Sequence, residues 1–137
     1  MKCFAVIDTN VLVPALLSVR SDSATVQVLN RVFKGDVIPV FDDDIIAEYR
    51  NVLNRKKFGF DHETVNRLIN NLIGIGVYVR PVETHEALPD MKDLPFYEVA
   101  MSAQDVESFL VTGNIRHFPQ KPFVVTPRRL IGILDSN

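Results

Sequence analysis

Phe4-Ala5-Val6-Ile7-Asp8-Thr9-Asn10 is the stretch whose reading decides the fold. Four apolar residues, two of them β-branched, read as a strand buried on both faces. The run stops at an acid and two short polar residues, after which Val11-Leu12-Val13 resumes with helix-like spacing. Asp8 therefore stands at the C-terminal end of a strand. In an open α/β sheet that end is the rim where ligands bind, because loops leave the sheet there and helix N-termini point free N–H groups toward it. Asp8, Thr9 or Asn10 equally suits the cap of the following helix, and the heptamer alone does not separate cap from chemistry.

The 137 residues suit one domain, 1–137, which buries about two-thirds of its unfolded surface. A hydrophobic share of 47% beside 23% charged residues is that of an ordinary soluble globular chain. The net charge of -2 supplies no general attraction to nucleic acid, so such a substrate needs a local basic patch and metal ions. One cysteine, Cys3, excludes a disulfide framework and a cysteine zinc cluster, and its place in the first strand makes it a small core residue. Met1-Lys2 ahead of an apolar run suggests a leader peptide, but Asp8 cuts that run short. No stretch reaches the ~18 apolar residues that span a bilayer. A cytoplasmic protein with no membrane partner is the expectation.

Working outward, 11–17 reads as a short helix with Pro14 near its start, and 24–34 as a helix capped by Ser23, buried along Val28, Leu29 and Val32, and ended by Gly35. Residues 37–41 form a strand whose Pro39 argues for an edge or poorly paired position. Asp42-Asp43-Asp44 opens a third helix to about 55, with capping as the leading account of its acids. A fourth helix spans 61–72, and 77–80 is a strand closed by Pro81. Residues 82–95 lack periodicity. A helix at 95–104, strands at 108–112 and 123–126, and a last helix from Pro127 through Leu134 complete the chain. Alternation of strands with helices, without a hairpin signal, means an α/β fold: a mostly parallel sheet with helices on both faces.

The acids converge on one rim of that sheet. Asp8 follows the first strand, Asn114 the strand ending at Thr112, and Asp90 and Asp93 precede the helix that begins near Pro95. Glu48 shares a helix face with Ile45 and Val52, where a carboxylate is costly to bury unless paired or bound to metal. Asp93 as a helix cap, Asp90 as a solvated loop acid and Glu48 as a snorkelling side chain are each sufficient accounts taken singly; their joint arrangement favours a site. Several carboxylates without matching histidines or thiolates suit a hard cation, Mg²⁺ or Mn²⁺, and metal-assisted phosphodiester hydrolysis is the reaction class that follows.

Asp8-Thr9-Asn10 after the first strand, Glu48 on a helix after the second, Asp90-Met91-Lys92-Asp93 before Phe96-Tyr97-Glu98-Val99-Ala100, and Leu110-Val111-Thr112-Gly113-Asn114 with His117-Phe118 resemble the PIN-domain ribonucleases. In particular they resemble the toxin components of prokaryotic type II toxin-antitoxin systems. The resemblance covers nearly the whole chain. It implies a three-layer fold with a five-stranded parallel sheet, Mg²⁺ or Mn²⁺ held by acids, endonucleolytic cleavage of RNA, a small antitoxin partner and a homodimer. Asp8, Glu48 and Asp93 match the three core acids, Asn10 the polar residue that braces the site, and Thr112 the hydroxyl before the fourth acidic position. Many family members have Asp where this chain has Asn114; an amide oxygen brings no charge, so a second metal would bind more weakly, with Asp90 available to compensate.

For substrate, Arg116 and His117 lie just past the rim strand and are placed to touch RNA, although His117 could equally pack on Phe118. Arg50, Arg55, Lys56 and Lys57 make either a phosphate-binding patch or a solvated helix end, with the helix end slightly preferred. The rival from another class is a catalytically weak RNA-binding or antitoxin-binding module on the same fold, supported by Asn114. A phosphatase built on a covalent aspartate would want an acid two residues after Asp8, where Asn10 stands. A receiver domain would want an acid pair at the first strand and a lysine after the last, where Thr126-Pro127 stands. No glycine-rich phosphate loop follows a strand.

Overall fold

A computed structural model describes residues 2–136; Met1, weighed above as part of a leader, and Asn137 lie outside them. Five strands, β1 (Cys3–Ile7), β2 (Val37–Phe41), β3 (Val77–Tyr78), β4 (Ser108–Val111) and β5 (Val124–Val125), form one sheet in the order β3-β2-β1-β4-β5. Every pairing is parallel, so the sheet is fully parallel where a mostly parallel one was expected. Successive residues of a strand point to opposite faces. In β1, β2 and β4 nearly every residue is buried, so helices cover the sheet on both sides, as a three-layer α/β fold requires.

Six helices supply that cover: α1 (Thr9–Leu17), α2 (Ala24–Lys34), α3 (Asp43–Leu53), α4 (His62–Ile75), α5 (Leu94–Ser102) and α6 (Pro127–Asp135). Local chemistry sets their ends. Ser23 accepts from Val26 N at the start of α2, and Gly35 closes the helix at φ 90°, a conformation that costs glycine nothing. Asp42 accepts from Ile45 N at 2.9 Å as the cap of α3. α5 lies across β1, β2 and β4, while α2 packs on β2 and α6. One apolar cluster, with Tyr49, Tyr97, Phe41 and Phe96 as its largest fully buried members, runs through the sheet, and Cys3 belongs to it.

Pro39 does not mark an edge: β2 sits between β1 and β3. Val79 N donates to Phe41 O, so residues of that parity, Pro39 included, face β3. β3 pairs only with Val40 and Phe41, so its ladder begins beyond the missing donor. Gly76 makes the close approach possible, since a Cβ there would lie 2.4 Å from Phe41 Cε2 and 2.6 Å from Pro39 O. No helix among the described residues is long and apolar enough to cross a membrane.

The strand order fixes where a site belongs. From β1 the chain goes to β2 on one side, and it returns through α5 to β4 on the other. The C-terminal end of β1 is thus the switch point at which loops diverge and leave a crevice.

Candidate active site

Asp8 occupies that switch point and is 6% exposed. Its Oδ1 accepts from Asn10 N at 3.4 Å as the cap of α1, and its Oδ2 accepts from Thr112 Oγ1 at 2.9 Å. Cap and candidate ligand are therefore compatible roles for one carboxylate. Burial pushes its pKa from 3.8 up to about 6, the Thr112 hydroxyl pulls it down, and the Asp93 carboxylate raises it again.

The residues just beyond β4 hold Asp8 in place. Asn10 Oδ1 accepts from Gly113 N at 2.9 Å, and Asn10 Nδ2 reaches Thr112 Oγ1 at 3.4 Å. Asn10 thus ties the start of α1 to the turn after β4. Asn114 N donates to Thr112 Oγ1 at 3.0 Å.

A cavity of about 420 Å³ opens at this rim. Asp8, Thr9 and Asn10 line it from the start of α1, Glu48 from α3, Asp90, Lys92 and Asp93 from the segment entering α5, and His117 from the turn Ile115–His117. Asp93 stands at the cap position of α5 but makes no capping hydrogen bond. Its Oδ2 instead lies 3.3 Å from His117 Nδ1. Burial raises the Asp93 pKa, as do the Asp90 and Glu48 carboxylates, while His117 lowers it. Asp90 is exposed and caps the short turn Met91–Asp93 by accepting from Lys92 N at 3.0 Å. Glu48 is half-buried, so its helix carries it to the cavity edge and not into the core.

Two expected participants lie elsewhere. Asn114 is outside the cavity lining, with its Nδ2 2.9 Å from His117 Nε2, so in this arrangement it steadies the histidine that meets Asp93. Arg116 lines a separate cavity with Ile115, Phe118 and Lys121. Conversely, Arg55, Lys92 and Phe58 line the acidic cavity. Arg55 had a signal, standing seven residues after Glu48 on nearly the same face. Lys92 was hidden between two acids, and Phe58 lay in a loop without periodicity.

The donor set fits a hard divalent cation. Asp8 is buried with neutral hydrogen-bond donors, and like-charged Asp93 and Glu48 stand near it around one cavity. Thr9 Oγ1, buried at the same place, has no hydrogen-bond partner. Among the described residues no three acidic, histidine or cysteine side chains already form a metal cluster. Mg²⁺ keeps several waters and takes one or two carboxylates with substrate phosphate.

The family model described as the PIN domain matches residues 5–116. No curated protein and no solved structure matches the chain.

Proposed function

Since the chain belongs to the PIN-domain family, whose members are generally nucleases, we propose that it is a Mg²⁺- or Mn²⁺-dependent endoribonuclease and the toxin of a type II toxin-antitoxin pair. The observation that carries the nuclease reading is that Asp8, Glu48 and Asp93, from segments far apart in sequence, line one cavity at the topological switch point. Asp8, Glu48 and Asp93, with Asp90 at the mouth, would hold the cation. Once bound, the cation supplies charge at a phosphodiester oxygen and acidifies a water.

The protein's own groups do the rest. Thr112 and Asn10 fix the Asp8 carboxylate, and His117 fixes Asp93, so that neither has to reorganise when substrate arrives. Lys92 and Arg55 offer cationic contacts to phosphates in a chain that otherwise repels them. The toxin role, the antitoxin partner and the homodimer rest on the motif resemblance, and the cytoplasmic location on the short apolar runs of the sequence; a small partner gene directly upstream of this reading frame is the expected companion.

Purified wild type with Mn²⁺ is expected to cut RNA and Asp8→Asn to leave it intact. Equal degradation by both would remove Asp8 from the mechanism. The second reading, a catalytically weak RNA- or antitoxin-binding module, draws on Asn114 at the fourth acidic position. It predicts RNA binding without cleavage by the wild type.

A further inference from the structure

Besides its acids the same cavity has apolar and cationic lining. Glu48, Val52 and Arg55 follow one another along α3 and out of its end: a carboxylate, an apolar side chain, then a guanidinium. Phe58, from the turn Lys56–Phe58, and Val13 and Pro14 of α1 add further apolar lining. Gly59, at φ 69°, turns the chain so that Phe58 and Phe60 stack, with ring centroids 5.7 Å apart and planes 17° apart. Stacking fixes the plane of a ring that would otherwise rotate in a loop. The Lys57 ammonium lies 5.1 Å from the Phe58 centroid, a cation against the face of the ring.

A nucleotide has the same division: an anionic phosphate and a flat apolar base a short distance away. We propose that Phe58 is a nucleobase platform, holding by stacking an unpaired base next to the phosphate that faces the acids, while Arg55 and Lys57 contact the flanking backbone. The inference rests on the nuclease reading above for the nature of the ligand. A base docking on the face covered by Lys57 displaces the ammonium toward the phosphate of that nucleotide. Stacking accepts any base, because every base has a π-face, but it requires a base that can leave its own stack. The site therefore selects single-stranded RNA and is indifferent to the identity of the stacked base.

The test compares wild type, Phe58→Ala and Phe58→Leu on a single-stranded RNA with Mn²⁺, and on copies of that strand with one abasic nucleotide scanned across the cut. Phe58→Leu keeps an apolar contact to Phe60 should the alanine variant fold poorly. Losing the platform is expected to raise KM by roughly 5- to 150-fold, the range for one base–aromatic stack, with kcat nearly unchanged. One abasic position should reproduce that loss in wild type and add nothing in the variants. Wild-type KM in both variants, or losses that multiply at every position, would overturn the platform. Fluorescence anisotropy on the same strands separates the two readings: if wild type cuts nothing but binding shows the abasic pattern, the platform stands and the nuclease falls. Binding indifferent to both Phe58 and the abasic position removes the platform whatever the cleavage.

Discussion

Thr112 Oγ1 donates a 2.9 Å hydrogen bond to Asp8 Oδ2, joining residues 104 apart in sequence at the adjacent ends of β4 and β1. The same oxygen accepts from Asn114 N at 3.0 Å and Asn10 Nδ2 at 3.4 Å. A hydroxyl has one proton and two lone pairs, so these two donors leave its proton nowhere to point but at the carboxylate. Sequence neighbours and a distant strand thereby agree on one orientation for Asp8.

Thr112→Val keeps the shape of this fully buried side chain and removes the hydroxyl. Asn114 N and Asn10 Nδ2 lose an acceptor, and Asp8 loses the hydrogen bond that holds its pKa down. A stability loss of about 1–3 kcal/mol is expected in urea denaturation. In metal-free protein the Asp8 carboxyl, followed by NMR, should titrate above its wild-type value of about 6. Thr112→Ser should restore both. An unchanged titration in the valine variant would mean that the hydroxyl does not govern Asp8.

Much of this is legible in the sequence, for physical reasons that differ by element. β1, β2 and β4 are buried on both faces and so read as unbroken apolar runs, and α2 carries both its caps, Ser23 and Gly35, in plain sight. β3 is shorter than the 77–80 expected, because Val77 and Tyr78 are exposed edge residues whose pairing depends on β2. β5 shrinks from 123–126 to two residues for want of a further neighbour. At the site, Asp8 and Glu48 were visible because an acid at a strand end and an acid on an apolar helix face each break a pattern. Asn114 turning to His117, and Phe58 and Lys92 entering the cavity, obey no periodicity, since loop direction is set by tertiary contacts.

Asp8 should make the metal-free protein less stable as pH rises. The carboxyl is neutral in both folded and unfolded chains below its ordinary pKa of 3.8, and the fold then bears no charge there. Burial lifts the folded value to about 6, so the stability associated with the neutral form is present below pH 3.8 and is lost as pH rises through 6. The difference between the two values corresponds to roughly 3 kcal/mol. In EDTA at pH 8, Asp8→Asn is accordingly expected to melt above wild type, with the gap closing toward pH 4. Adding Mn²⁺ should invert the order: at a thousand times Kd a ligand adds about 4.1 kcal/mol to the protein that binds it and nothing to one that does not. Melting curves in which wild type is the more stable at pH 8 in EDTA would contradict an uncompensated carboxylate at this position.

Tyr49 links the helix that carries Glu48 to the strand that carries Asp8. Cys3 N donates to Asp36 O, so residues of β1 with that parity, Ile7 among them, face β2. The β1–β2 register ends at Ala5 and Pro39, which leaves Ile7 O beyond the ladder, and the Tyr49 hydroxyl donates to it. Burial, with the Asp8 and Asp42 carboxylates nearby, keeps that phenol protonated and therefore a donor. Tyr49→Phe retains the ring against Phe96, whose centroid is 6.2 Å away, and removes only the hydroxyl. A buried carbonyl left unpaired costs about 1–3 kcal/mol, which urea denaturation will register. Glu48 is the preceding residue of α3, so the same change frees it to drift from Asp8, and small misplacements of a reacting group cost up to roughly 10²-fold in rate. Cleavage measured well below the melting temperature should fall accordingly while RNA binding persists. A variant that loses stability yet cuts at the wild-type rate would show that Glu48 takes its position from elsewhere, and one that loses neither would remove the tie itself.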